Sequence, residues 1–361
     1  MKIEYFNDGK RIPSLDGMRA MAIGLVVLAH VAGTTRLQHL GVFPVIANLG
    51  NVGVRLFFVI SGFLITTILF RELEQQGSLS LRRFYVRRAF RIFPAFYCFL
   101  GILLFLKWVD VFSFPMGDWI SAATYTINYR TQKDWNVGHC WSLAVEEQFY
   151  LLWPLLIWLL GKRRALLGAW LVVIVVPLVR YCTWKFFPEH TAGISWEFHT
   201  VCDGLATGCL LAGYRDRLAA SKDYCRFRTP MFAAGLLLAV PVLISMTYDS
   251  PELSALIAPT LLNVALALVL DIVMARGDSP LGRVLNWAPV TFVGVLSYSL
   301  YLWQQPFLLH KSPHLLQRFP FNLALAVVVA CASYYLVERP FLRLRRRLDA
   351  RLVAQNQPKI E

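Results

Sequence analysis

Apolar residues in this chain come in long unbroken runs, separated by short polar segments. Ten runs reach roughly the 18 to 22 residues that cross about 30 Å of hydrocarbon as a helix; they lie at about residues 17–34, 48–70, 92–110, 141–160, 166–187, 197–214, 229–247, 255–275, 288–309 and 321–338. The fold class this predicts is all-α, a polytopic transmembrane helical bundle of about ten spans. Only helices and closed barrels satisfy every backbone polar group in lipid.

Charge between the runs is uneven. The N-terminal arm, the segment from Arg71 to Arg91, Lys162 to Arg164, Arg215 to Arg228, Arg276 to Arg283 and the tail beyond Glu338 hold about 27 of the 36 Lys and Arg, against about 7 in the intervening loops. This bias puts both termini in the cytoplasm, as an even number of crossings requires. The opening "MKIEYFNDGKRIPSLDG" is too polar for a secretory signal, so the first span is expected to be retained. The expected division is an integral-membrane domain over residues 1–345 and a basic cytoplasmic tail over 346–361, with "RPFLRLRRRLDARL" reading as an amphipathic helix on the membrane lipid surface.

Composition agrees: 57% of residues are hydrophobic and 16% charged, where soluble domains hold about 25% charged residues. The net charge of +14 follows alternate loops, which argues against a nucleic-acid partner. The seven cysteines lie mostly in apolar runs at no ligand spacing, so no metal site is expected.

Against this background, ionisable residues inside the spans carry the functional signal. "RAMAIGLVVLAH" opens with Arg19 and closes with His30. Eleven helical steps put both on one face, about 16 Å apart along the axis, with Arg19 at the inner boundary and His30 near the midplane. Histidine suits acid–base or nucleophilic work near neutral pH. In "FYVRRAFRIFPAFY", Arg88 and Arg91 share a face and Arg87 adjoins them. Guanidinium forks hold phosphate well, although the same charges are also a topology signal. "HCWSLAVEEQFYLLWP" places Glu146 and Glu147 about two turns into a span entered from outside, and Trp141 and Ser142 share the Glu146 face, a mixture suited to a sugar ring. A structural pairing of this carboxylate with Arg55 or Arg180 is the plainer alternative. Asp203 is expected at a similar depth on the acceptor side. Tyr298 and Tyr301, with Ser297 and Gln304 or Gln305, mark the ninth span, where hydroxyls also serve as interhelical contacts. Glu338 is expected to pair with the basic tail.

In this order, "LDGMRAMAIGLVVLAH", "GVRLFFVISGFLI", "RRAFRIFP", "HCWSLAVEEQFYLLWP", "CDGLATGCLLA", "LSYSLYLWQQP" and "VERPF" resemble the acyltransferase-3 family of bacterial multi-pass membrane O-acyltransferases, from about residue 12 to 345. The resemblance implies transfer of an acyl group, commonly acetyl from acetyl-CoA, to a hydroxyl of a carbohydrate or glycolipid acceptor, in the bacterial cytoplasmic (inner) membrane. It implies His30 and Arg19 as the active-site pair, Arg88 and Arg91 as holders of the acyl-CoA donor, and Glu146 as a member of the acidic block. Two departures stand out. The commoner pattern has an acidic residue where Arg55 stands and a histidine where Gln304 stands. No esterase-like extracytoplasmic domain is expected here, unlike in longer members.

The resulting expectation has the coenzyme A phosphates held by Arg88, Arg91 and Arg87 at the cytoplasmic mouth, while the pantetheine arm climbs to His30. There His30 acts as general base on the acceptor hydroxyl or accepts the acyl group itself. A transporter or flippase using the buried His, Glu and Arg as a relay is the competing class, and a lipid-linked-sugar glycosyltransferase is a third.

Overall fold

The computed structural model describes residues 13–237, 239, 250, 252, 256–309 and 317–355. Among the described residues the chain is helical throughout, with no strand. The main helices are α1 (Pro13–Gly33), α2 (Phe43–Gln76), α3 (Leu81–Trp108), α4 (Cys140–Phe186), α5 (Asp203–Ala220), α6 (Ala258–Ala275), α7 (Ala288–Phe307), α8 (Phe321–Ser333) and α9 (Arg339–Gln355). Six helices among the described residues are long and apolar enough to cross a membrane.

The differences from the ten expected runs have local causes. The fourth and fifth runs join in α4, whose Gly161 takes φ 73 and ψ 170. A Cβ on Gly168 would lie 3.6 Å from the Leu156 side chain. Twelve residues of straight helix would hold those positions about 18 Å apart, so the chain folds back at Gly161. Lys162, next to that reversal, bonds Glu74 at 2.6 Å near the C-terminal end of α2. The sixth run breaks between Phe198–Val201 and Asp203–Ala220. Most of the seventh, 229–247, lies outside the described residues. The ninth forms α7, whose serines, tyrosines and glutamines lower its hydropathy.

Two apolar cores meet along α2. One gathers Phe58, Ile65 and Leu69 with Phe96, Phe99, Phe149, Trp153 and Leu302. The other joins Leu56, Val59 and Phe63 to Met18, Leu266 and Leu270. Alternate faces of α2 thus pack on different neighbours; α1 and α5 lie against it, and α7 packs on α1. Small residues permit this approach: a Cβ on Gly62 would fall 2.0 Å from the Leu205 carbonyl, and one on Gly208 would fall 2.1 Å from that of Val59. Close backbone contact replaces hydrophobic expulsion, which is weak between helices in lipid.

The last described elements shift register. A π-helical turn, Tyr334–Glu338, joins α8 to α9 and turns Glu338 inward to 7% exposure.

Gly62→Ala is expected to cost about 1 to 3 kcal/mol through overpacking. Gly101→Ala, where nothing lies within 4 Å, is expected to be neutral or slightly stabilising. Thermal unfolding of the two variants in the same detergent checks the contrast.

Candidate active site

Helices α1, α2, α3, α4 and α7 enclose a cavity of about 850 Å³ lined by Arg19, Arg88, Arg91, Glu146, Glu147 and Glu338, together with Ser61, Ser142, Tyr150, Ser297, Tyr298 and Tyr301. Three guanidinium groups and three carboxyl groups face one space, so its formal charge balances. Glu146 is held by hydroxyls: it accepts from Ser61 Oγ at 2.7 Å and from Tyr150 OH at 3.2 Å. Arg88 lies over the Tyr150 ring, 3.6 Å from its centroid, with its buried Nε unbonded. Arg19 approaches Asp16 at 3.9 Å, one turn earlier on α1. Glu338 accepts from Ser299 Oγ of α7. A buried guanidinium with unspent donors beside hydroxyls is suited to an incoming oxyanion.

A second cavity, of about 950 Å³, is lined by His30, Asn51, Lys133, Asp134, Trp135, His139, Trp141, Trp196 and Gln305. Val54 and Tyr301 line both cavities. One helix, α1, presents Arg19 to the first and His30 to the second, with the eleven-residue rise of about 16 Å between them. His30 Nδ1 lies 2.6 Å from Gln304 Oε1, and the imidazole edge meets Trp135 at a ring separation of 5.2 Å. An amide oxygen only accepts, so in this contact the imidazole donates from Nδ1.

Behind His30, His139 is pinned to α7. Gln305 Oε1 accepts from the His139 backbone N–H at 3.2 Å and faces Nδ1 at 2.7 Å, while Nε2 faces Leu302 O at 3.1 Å. Tyr301 OH donates to His139 O at 3.0 Å and lies 2.6 Å from Ser142 Oγ. Trp135 Nε1 donates to Gln305 O at 2.8 Å. Side chains and backbone from α7 therefore set the wall between the cavities. Lys133, outside the spans, sits 3.8 Å from the Trp196 ring centroid. Burial pushes its ammonium down to about 8, against the opposing pull of Glu197 and Asp118.

The expected residues divide clearly. Arg19, Arg88, Arg91, Glu146, Glu147, Ser142, Tyr298 and Tyr301 meet at the first cavity, and His30 and Trp141 at the second. Arg87 is not among the lining residues of either. Asp203 is fully buried against Arg180, with Nη1 to Oδ2 at 3.0 Å, and Thr260 Oγ1 donates to the same oxygen at 2.6 Å. Arg180 is therefore the partner of Asp203, while Glu146 takes Ser61 and Tyr150. His139, Trp135, Lys133, Trp196 and Ser61 were not singled out from sequence. The histidine heading "HCWSLAVEE" was the available signal for the first of them.

A profile of the family described as "Acyltransferase domain" (acyltransferase-3) matches residues 12–338. The chain belongs to the acyltransferase-3 family. Among characterised sequences it is 29% identical over 364 residues to YrhL of Bacillus subtilis (strain 168), a protein named as a candidate peptidoglycan O-acetyltransferase, covering 91% of this chain and 54% of that one. It is 28% identical over 363 residues to the peptidoglycan O-acetyltransferase OatA of Listeria monocytogenes, covering 92% and 55%. It is 26% identical over 368 residues to the O-acetyltransferase OatA of Staphylococcus aureus (strain NCTC 8325 / PS 47), covering 94% and 58%. The chain thus spans little more than half the length of these relatives. No solved structure matches. Gln304 is the residue that touches His30, and Arg55 lies on α2 and lines a third cavity with Arg180.

Two tests follow from this geometry. Arg180→Met is expected to strand Asp203 and cost about 3 to 5 kcal/mol, whereas Arg180→Met with Asp203→Leu recovers most of the loss; thermal melts of both variants decide. As pH falls through 8, Lys133 gains its proton over Trp196, so tryptophan emission is expected to step there and Lys133→Met to abolish the step.

Proposed function

We propose that this protein is a membrane O-acyltransferase. It moves an acyl group, most simply acetyl, from acyl-CoA held on the arginine side to a carbohydrate or glycolipid hydroxyl entering on the His30 side. The observation that carries this reading is the pair of cavities sharing Val54 and Tyr301, one lined by Arg19, Arg88 and Arg91, the other by His30 and tryptophans. The peptidoglycan O-acetyltransferase relatives support the reaction class and an extracytoplasmic sugar acceptor.

In this scheme the spans number ten, both termini face the cytoplasm of a bacterial inner membrane, and the arginine cavity opens inward. Coenzyme A phosphates meet Arg88 and Arg91 there, with Arg87 at the mouth. The pantetheine arm covers the roughly 16 Å rise that separates Arg19 from His30 on α1. The charged head then never enters the apolar interior. At the far end, Gln304 holds Nδ1–H, and Nε2 takes the proton of the acceptor hydroxyl as its oxygen attacks the thioester carbonyl. The carbon–oxygen bond forms, the carbon–sulfur bond breaks, and the coenzyme A thiolate leaves with a proton. A general base needs one transfer, whereas a histidine acyl-enzyme needs two. Glu146, Ser61, Ser142, Glu147 and Tyr298 border the donor cavity, Trp141 provides an apolar face for the sugar ring, Tyr301 lines both cavities, and Asp203 is engaged with Arg180 away from them.

Purified protein supplied with radiolabelled acetyl-CoA and glycan acceptors is expected to transfer label, and His30→Ala to lose at least about a hundredfold in rate. Full transfer by the alanine variant sinks the assignment. Label retained on His30 without acceptor would favour the covalent route. Arg88→Ala and Arg91→Ala are each expected to weaken coenzyme A binding by about 1.5 to 3 kcal/mol, read by calorimetry.

A further inference from the structure

A third cavity, of about 900 Å³, shares Val54 and Phe58 with the arginine cavity and is continuous in its walls with the His30 cavity, sharing Asn51, Val54 and Trp141 with it. Asn48, Asn51, Arg55 and Phe58 face it from α2 at intervals of three, four and three residues, so one helix stripe builds this wall. Arg55 is its distinctive member. Its one side-chain hydrogen bond is a long 3.4 Å contact from Nη1 to Asn263 Oδ1, at the margin of bonding geometry. The other cation lining the cavity, Arg180, spends its donors on Asp203, Thr200 and Thr260.

Arg180 and Asp203 neutralise each other with both side chains at 0% exposure. In the adjoining His30 cavity Lys133 and Asp134 are one cation and one anion. Glu197 and Asp118 also act on Lys133, so what sets Arg55 apart is not a surplus of charge but donors spent on a single 3.4 Å contact. A cation within a helical bundle is costly without a counter-ion or water; the carboxylate that acts on Arg55 is Asp203, whose Oδ2 is already bonded to Arg180 and Thr260. A single guanidinium fork matches a monoanionic, planar carboxylate, whereas the three arginines of the donor cavity match phosphates.

We propose that Arg55 is an acceptor subsite for a carboxylate, so that the preferred acceptor is a glycan bearing an acidic sugar, held by Arg55 while a neighbouring ring stacks on Trp141 and presents its hydroxyl to His30. This rests on the acyl-transfer reading for the last step only; anion capture by Arg55 stands apart from it.

Matched probes test the subsite without needing the natural acceptor. A hyaluronan tetrasaccharide and the same tetrasaccharide with its carboxyls reduced to alcohols are titrated against the full chain in detergent, following binding by calorimetry. The carboxylated sugar is expected to bind at least tenfold more tightly, with Arg55→Gln erasing the difference and Arg55→Lys keeping part of it. Equal binding of the two sugars by the wild-type protein overturns the proposal, as does a difference that survives Arg55→Gln or a stronger response to N-acetylglucosamine 1-phosphate. The wild-type comparison holds even if a variant fails to fold. Carboxylate-dependent binding with no label transferred from acetyl-CoA would uphold the subsite and count against the acyltransferase reading. Transfer with no preference between the sugars would do the reverse.

Discussion

Charge held inside an apolar bundle is the constraint on which this architecture depends. A carboxylate or guanidinium among hydrocarbon costs several kcal/mol unless it is paired, hydrogen-bonded or exposed to a water-filled space. The protein uses each solution in a different place. Arg180 and Asp203 are paired and closed off, Glu146 is bonded by two hydroxyls, and Arg19, Arg88 and Arg91 open onto a cavity. The closed pair stabilises the junction of α4, α5 and α6, and the open groups are left for chemistry.

Helix α2 makes this partition geometrically possible. Its faces pack in two separate apolar cores, and glycine contacts with α5 bring the backbones close enough to exclude lipid between them. Between the packed faces, Val54 touches all three cavities, while Ser61 and Arg55 point into different ones. One rigid helix therefore sets the relative position of the three cavities. Sites on rigid elements keep reactive distances that loops do not, and effective molarity depends on such distances.

The sequence was most legible where function follows helical periodicity. Arg19 and His30 lie on one continuous helix, so eleven residues translate directly into face and rise. Arg88 with Arg91, and Ser142 with Glu146, were readable in the same way and meet at one cavity. What periodicity cannot supply is the partner across the bundle. Glu146 and Asp203 looked alike as buried acids, yet one faces Ser61 and the other Arg180, because α2 and the folded-back half of α4 come to them from distant parts of the chain. Arg87 adjoins Arg88 in sequence but points along a different helical direction, which a charge cluster read linearly conceals. The reversal at Gly161 was legible only as a polar gap between two runs.

Gln304 shows why a departure from a family pattern is best weighed after the contact is known. By sequence it was a missing histidine 274 residues from His30; in the fold it is the group on His30 Nδ1, 2.6 Å away. A histidine in that place offers either a donor or an acceptor and changes charge with pH, whereas an amide stays neutral and offers both at once. Its oxygen fixes one tautomer of His30 without contributing a charge to the second cavity. That neutrality matters for the acceptor side, where the positive charge of Arg55 then stands unopposed by any change at Gln304. A neutral amide on His30 and a guanidinium on the far wall thus leave the two ends of the joined cavities electrically distinct.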